Sequence, residues 1–172
     1  MALFGLFRGK SPIADAKGLT DFIDEQFPHL HEGLEISRSK AYPLGLAMIG
    51  EMIDGALRPH AGTKARALAD ETIDLVLGVF DRQPVPAEIG QEAWRDARSE
   101  LALRLDQISA QPSKGAADIP VQYVKRYLKF APGDTNATLD VLGSNLVKIQ
   151  HELEKRMDAA ATVKSLLAAG EN

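Results

Sequence analysis

The stretch that decides the fold covers residues 63–81 and reads TKARALADETIDLVLGVFD. Its apolar side chains recur at offsets of three and four, while the charged ones fill the remaining face. This spacing is typical of an amphipathic α-helix that packs one side against a core. The sequence therefore predicts a helix over 63–81, with Thr63 as the cap of its first turn.

Similar patterns lie on both sides of this stretch. Residues 43–58 are apolar nearly all round, which predicts the most buried helix, ending before Pro59. A helix over 86–108 is expected to begin at Pro86 and to bury a stripe that starts at Trp94. We also expect a first helix from a cap at Ser11 to Phe27, ended by Pro28, and a short helix over 120–130. The segment 28–42 is compatible with a loop, a brief extended strand or a helix.

The last helix is expected to run over residues 138–169, because apolar positions recur there at intervals of seven. These positions are Leu139, Leu146, Leu153, Ala160 and Leu167. Such a seam serves either as the central helix of the chain's own bundle or as a surface through which two copies associate. Arg156 and Ala160 would pack poorly in a free coiled coil, which favours the intramolecular role for the C-terminal half.

Together these elements predict an all-α protein, a compact bundle of about five to six helices with a long C-terminal helix. Residues 1–10 form an apolar and basic tail, and 11–172 form a single helical domain. The two breaks, at 111–117 and 131–134, are too short to be interdomain linkers.

Composition excludes several classes of function. The chain has 172 residues, a net charge of -4 and no cysteine, which excludes disulfide frameworks and thiolate chemistry. The longest nearly apolar stretch, 42–53, is interrupted by Glu51 and is shorter than the roughly 20 residues that cross a bilayer. We therefore expect a cytoplasmic protein. With 20 basic and 24 acidic residues, nucleic-acid binding is not indicated.

Two groups of residues have the chemistry of a metal or catalytic site. His29, His31 and Glu35 have metal-ligand side chains, but their spacing matches no known motif, so no cofactor is predicted. Glu51 and Asp54 lie in the apolar helix 43–58 and could be buried general acids or bases. The alternative is that they form its narrow polar edge together with Arg58.

Two further segments have the chemistry of binding surfaces. Aromatic and basic residues alternate over 123–130, a pattern that suits an acidic protein partner better than nucleic acid in an acidic chain. These residues are Tyr123, Lys125, Arg126, Tyr127, Lys129 and Phe130. The N-terminal tail carries the apolar side chains Leu3, Phe4, Leu6 and Phe7, followed by Arg8 and Lys10. It suits weak contact with a membrane surface, packing against the bundle, or insertion into a groove of a partner.

The sequence contains no glycine-rich phosphate loop, nucleophile elbow or zincin motif, which favours a protein without enzymatic activity. The leading hypothesis is a small cytoplasmic helical protein that acts by protein–protein interaction or self-association, as an adaptor, regulator or assembly subunit. The alternative is a helical enzyme or a ligand or metal carrier with a pocket near Glu51, Asp54 and residues 29–35. A third hypothesis is peripheral membrane attachment through residues 1–10.

Overall fold

Helices make up the fold in the computed structural model, which describes residues 10–127 and 132–171. The described part contains seven α-helices and no strand. They are α1 (Ala16–Leu30), α2 (Arg38–Leu57), α3 (Ala65–Asp81), α4 (Gly90–Ser109), α5 (Ile119–Tyr127), α6 (Pro132–Arg156) and α7 (Ala159–Gly170). Two 3-10 turns, Arg58–His60 and Gly62–Lys64, connect α2 to α3. The prediction of an all-α protein is confirmed, with more helices than the expected five to six.

Helix α2 lies at the centre of the bundle. Every residue from Gly45 to Asp54 is buried, as the all-round apolar pattern predicts. The helix contacts α1, α3, α4, α5 and α7, so no face of this segment is left to solvent. None of the described helices is both long enough and apolar enough to cross a membrane.

Helices α3 and α4 bury the stripes that their spacing predicts. In α4 these are Trp94, Leu101, Leu105 and Ile108, and in α3 they include Leu68, Val76 and Phe80. The expected start of α4 at Pro86 is wrong, because the amides of Ile89 and Gly90 both bind the Pro86 carbonyl and close a separate turn first.

The ends of α1 and α2 differ from the prediction. Asp15, not Ser11, caps α1 by accepting a hydrogen bond from the Gly18 amide at 2.7 Å. Pro28 lies inside the helix rather than ending it. Asn145 donates hydrogen bonds of 3.1 Å to the carbonyls of Leu30 and Glu32, which holds the last turn of α1 in place.

Helix α2 begins at Arg38 with Pro43 inside it, so only a short connection remains of the segment 28–42. No strand forms in that connection, and Leu34 and Ile36 anchor it by packing against the core.

The single C-terminal helix predicted over 138–169 is wrong. Helix α6 ends at Arg156 and α7 begins at Ala159. Between them, the Ile13 amide binds the Arg156 carbonyl and the Asp158 amide binds the Ile13 carbonyl, both at 2.8 Å. The N-terminal segment therefore takes hydrogen-bonding groups that a continuous helix would use internally.

The heptad seam of α6 faces the chain's own core. Its residues Leu142, Leu146, Ile149 and Leu153 are all buried. In α7, Val163 is also buried, whereas Ala160 is exposed. These four α6 positions therefore pack within the chain's own bundle, whereas self-association of the chain stays a prediction.

Candidate functional site

Glu51 is the most highly connected polar group in the core. It lies on α2 with 5% of its surface exposed. One carboxylate oxygen, Oε2, accepts hydrogen bonds of 2.9 Å from the Tyr123 hydroxyl and from the Gln122 amide. The other, Oε1, lies 3.4 Å from the Lys114 ammonium. A buried carboxylate is tolerated when it is paired in this way.

Asp54 lies one turn further along α2 and forms an ion pair with Arg58. The Arg58 guanidinium also donates to the carbonyl of Ile108, in the last turn of α4, and to that of Gln111, just beyond its end. The pair therefore ties the carboxyl-terminal ends of α2 and α4 together. Arg58 directly follows α2 and lies four positions after Asp54, so the two side chains face the same side of the chain.

The surroundings of Glu51 and Asp54 leave no room for a substrate. The space beside them measures about 10 Å³ and is lined by Thr72, Leu105 and Ile108 among others. A volume of this size holds about one water molecule. The two carboxylates are thus paired groups within the core.

Tyr123 was expected on a binding surface, and this prediction is wrong. The residue is fully buried, because its hydroxyl reaches inward to Glu51. Burial, followed by the neighbouring charge of Glu51, raises the pKa of Tyr123. Lys125, Arg126 and Tyr127 belong to α5 by their backbone, but their side chains lie outside the described part of the structure, as do Lys129 and Phe130.

The structure does not bring His29, His31 and Glu35 together as a metal site. His29 is exposed and its Nδ1 lies 2.5 Å from Glu32, whereas His31 packs against the Phe27 ring. Burial lowers the pKa of His31 to about 4. Within residues 10–127 and 132–171, no group of three or more acidic, histidine or cysteine side chains is placed to hold a metal ion.

The apolar tail residues Leu3, Phe4, Leu6 and Phe7 lie outside the described residues, so their binding role stays a prediction. The first described residue, Lys10, is engaged with the bundle. Its ammonium lies 3.2 Å from Glu25 and 3.1 Å from Glu152.

An open groove lies between α2 and α4, which run side by side in the same direction. Tyr42 contacts Trp94 near their amino ends, and Arg58 reaches the carbonyl of Ile108 near their carboxyl ends. The helices approach closely at Gly50, where a Cβ atom would lie 2.8 Å from Leu105. Further towards the amino ends, small alanines leave a groove of 180 Å³. We call this the α2–α4 groove; its apolar lining is Pro43, Leu44, Ala47, Ala97 and Leu101.

Charged side chains form the rim of the α2–α4 groove. Lys40 and Glu100 are exposed, and Arg104 is half-buried. The floor is rigid, since Ala47 and Leu101 belong to the core.

A second, more polar pocket of 330 Å³ lies where α2, the 111–116 loop and the α6–α7 junction meet. We call it the junction pocket. Its walls are Met52, Gly55, Ala56, His60, Ser113, Lys114, Ala116, Gln150, Glu154, Met157 and Ala159.

Sequence reasoning did not find either depression. Each is assembled from segments that are more than 30 positions apart in the chain (Ala47 and Ala97, or Ala116 and Gln150), and no local motif marks them.

Comparison with models of known protein families, with curated proteins and with solved structures gives no match.

Proposed function

We propose that the protein acts by binding another protein at the α2–α4 groove, as an adaptor, regulator or assembly subunit. The observation that carries this proposal is the groove itself, an open and mainly apolar depression of 180 Å³ between α2 and α4. Sites for drug-sized molecules usually measure about 300–1,000 Å³. A groove below that range suits one or two side chains of a partner better than a whole small molecule.

The chemistry of the groove indicates the kind of partner segment. Its floor would cover an apolar side chain, as grooves between helices do for the anchor residues of amphipathic helices. Its rim carries two cations, Lys40 and Arg104, against one anion, Glu100. We therefore expect a partner segment with a bulky apolar residue beside acidic ones. The cysteine-free composition fits a reducing compartment, so we place this binding in the cytoplasm.

Comparative affinity capture tests the proposal with two matched variants. Ala97→Phe adds a ring inside the groove, whereas Ser99→Phe adds the same ring on the exposed side of α4. The native chain and Ser99→Phe are expected to retain the same protein from a lysate of the source cells, and Ala97→Phe to lose it.

Lys40→Glu is expected to weaken the same capture, because it places an anion opposite an acidic segment. Binding at this groove would be contradicted if the native chain and the three variants retained the same amount of the captured protein, or if none of them retained any protein.

A further inference from the structure

We propose that the junction pocket binds a small zwitterion with an apolar side chain, of the neutral α-amino acid type. This site is separate from the α2–α4 groove and does not depend on the function proposed for it. The pocket measures 330 Å³, which lies at the lower end of the range for small-molecule sites.

Opposite charges line two walls of the junction pocket. Lys114 belongs to the loop that precedes α5, and Glu154 belongs to the last turns of α6. Glu154 is exposed and forms no ion pair with the residues that the structure describes. An α-amino acid carries its carboxylate and its ammonium on one carbon atom. In the junction pocket the carboxylate would meet Lys114 and the ammonium would meet Glu154.

Lys114 keeps a donor for a ligand. Its ammonium has three N–H groups, and the structure directs two of them to Glu51 Oε1 at 3.4 Å and Gln122 Oε1 at 3.2 Å. Neighbouring polar side chains add hydrogen-bonding groups on both sides. The Ser113 hydroxyl lies next to Lys114 in the loop, and the Gln150 amide lies one turn before Glu154.

The polar cluster of the core fixes the cationic wall before any ligand binds. The buried Glu51 carboxylate is held by Tyr123 and holds Lys114 in turn. Arg58 binds the Gln111 carbonyl at the start of the same loop. A site that is ordered in advance loses less conformational entropy on binding. This gives the Glu51 cluster a second role, as the support of the Lys114 wall.

The remaining lining would contact an apolar side chain. Met52 and Ala56 come from α2, Ala116 from the loop and Met157 from the junction of α6 and α7. Methionine side chains adapt to ligands of different shape. We therefore expect the site to accept several aliphatic side chains of similar size.

Titration of the isotope-labelled full chain tests this inference by NMR with three probes. L-leucine carries both charges, 3-methylbutylamine lacks the carboxylate, and 4-methylpentanoate lacks the ammonium. Leucine is expected to shift the backbone amides of Gly55, Ser113 and Gln150 in a saturable way. Each half-molecule is expected to bind at least about tenfold more weakly, because it loses one charge contact.

Glu154→Gln is the decisive variant, because the side chain is exposed and its removal leaves the core intact. It is expected to reduce leucine affinity to that of 4-methylpentanoate, while Glu88→Gln, an exposed control before α4, changes nothing. Lys114→Met alone would leave Glu51 unpaired, so it is combined with Glu51→Gln; this pair is expected to abolish the preference for leucine over the amine.

Absence of saturable shifts at these amides, or equal shifts with all three probes, would overturn the inference. Neither result would bear on the proposal that the α2–α4 groove binds a protein partner.

Discussion

His31 shows how a residue with metal-ligand chemistry can serve helix packing instead. Its ring packs against Phe27 with centroids 5.4 Å apart, and it lies so close to Gly45 that a Cβ there would be 2.6 Å from the imidazole. The ring fits because Gly45 has no side chain. Burial disfavours the charged form and lowers the pKa of His31 from 6.5 to about 4.

Acid should therefore weaken the fold through His31. Above pH 6.5 the imidazole is neutral in both states, so this group contributes no pH dependence. Between pH 6.5 and about 4 the unfolded chain binds a proton that the folded chain does not, and the free energy of unfolding falls by up to about 1.4 kcal/mol per pH unit. Urea denaturation at pH 7, 6 and 5 measures this slope.

His31→Gln is expected to flatten the slope over the same interval. The carboxyl groups of Glu25 and Asp81 also have lowered pKa values, that of Glu25 through Arg156 and Lys10 against the effect of burial and that of Asp81 through Arg98; their contribution is common to both chains and cancels in the comparison. An identical slope in the variant would show that His31 is not the group responsible.

Tyr123→Phe tests the hydrogen bond to Glu51. The variant removes one donor from a buried carboxylate and is expected to reduce the free energy of unfolding by about 1–3 kcal/mol. Tyr42→Phe is the matched control, because the Tyr42 hydroxyl accepts its hydrogen bond from the exposed Arg38 guanidinium, and it is expected to change stability by less than about 0.5 kcal/mol. If chemical denaturation gave the same loss of stability for both variants, the hydrogen bond between Tyr123 and Glu51 would have no special role in stability.

At the scale of the element, the sequence predicts helix faces well and helix ends poorly. The buried stripes of α3 and α4 follow from local spacing, because any burial of those apolar residues requires the same face. The ends depend on distant partners instead. Pro28 lies inside α1, and the turn that follows it is held by hydrogen bonds from Asn145. No residue near Pro28 in the sequence predicts this contact with α6.

The break between α6 and α7 has the same origin. Leu153, Ala160 and Leu167 keep the seven-residue spacing across the break. Periodicity alone therefore predicts one continuous helix. Arg156 interrupts that apolar pattern. Its guanidinium donates hydrogen bonds to the Ser11 carbonyl at 3.1 Å and to the Glu25 carboxylate, in α1, at 2.9 Å. It also lies 5.4 Å from the centre of the Phe22 ring.

Asp158→Ala distinguishes two helices from one. Asp158 caps α7 by accepting a hydrogen bond of 3.0 Å from the Ala161 amide, and its loss is expected to cost about 0.5–2 kcal/mol in thermal or chemical unfolding. In a continuous helix the same change would be neutral or stabilising, because alanine is the better helix former. Asp140→Ala, at an exposed position inside α6, provides that comparison.

At the scale of the whole molecule, α2 organises both depressions. One end of α2 forms a wall of the α2–α4 groove and the other forms a wall of the junction pocket. Sequence analysis identified α2 as the most buried helix and Glu51 and Asp54 as its polar groups. It could not place Lys114 beside Glu51, nor Ala97 beside Ala47, because those neighbours depend on how separate helices pack.

Site-specific photocrosslinking in intact source cells tests the proposed protein partner most directly. A photoreactive phenylalanine analogue replaces Glu100 on the groove rim or, as a control, Lys148 on the exposed side of α6. We expect a discrete adduct from position 100 that disappears when Ala97→Phe is added; an adduct with the mass of two chains would identify a second copy as the partner. No adduct from position 100, or the same adduct from position 148, would contradict the account.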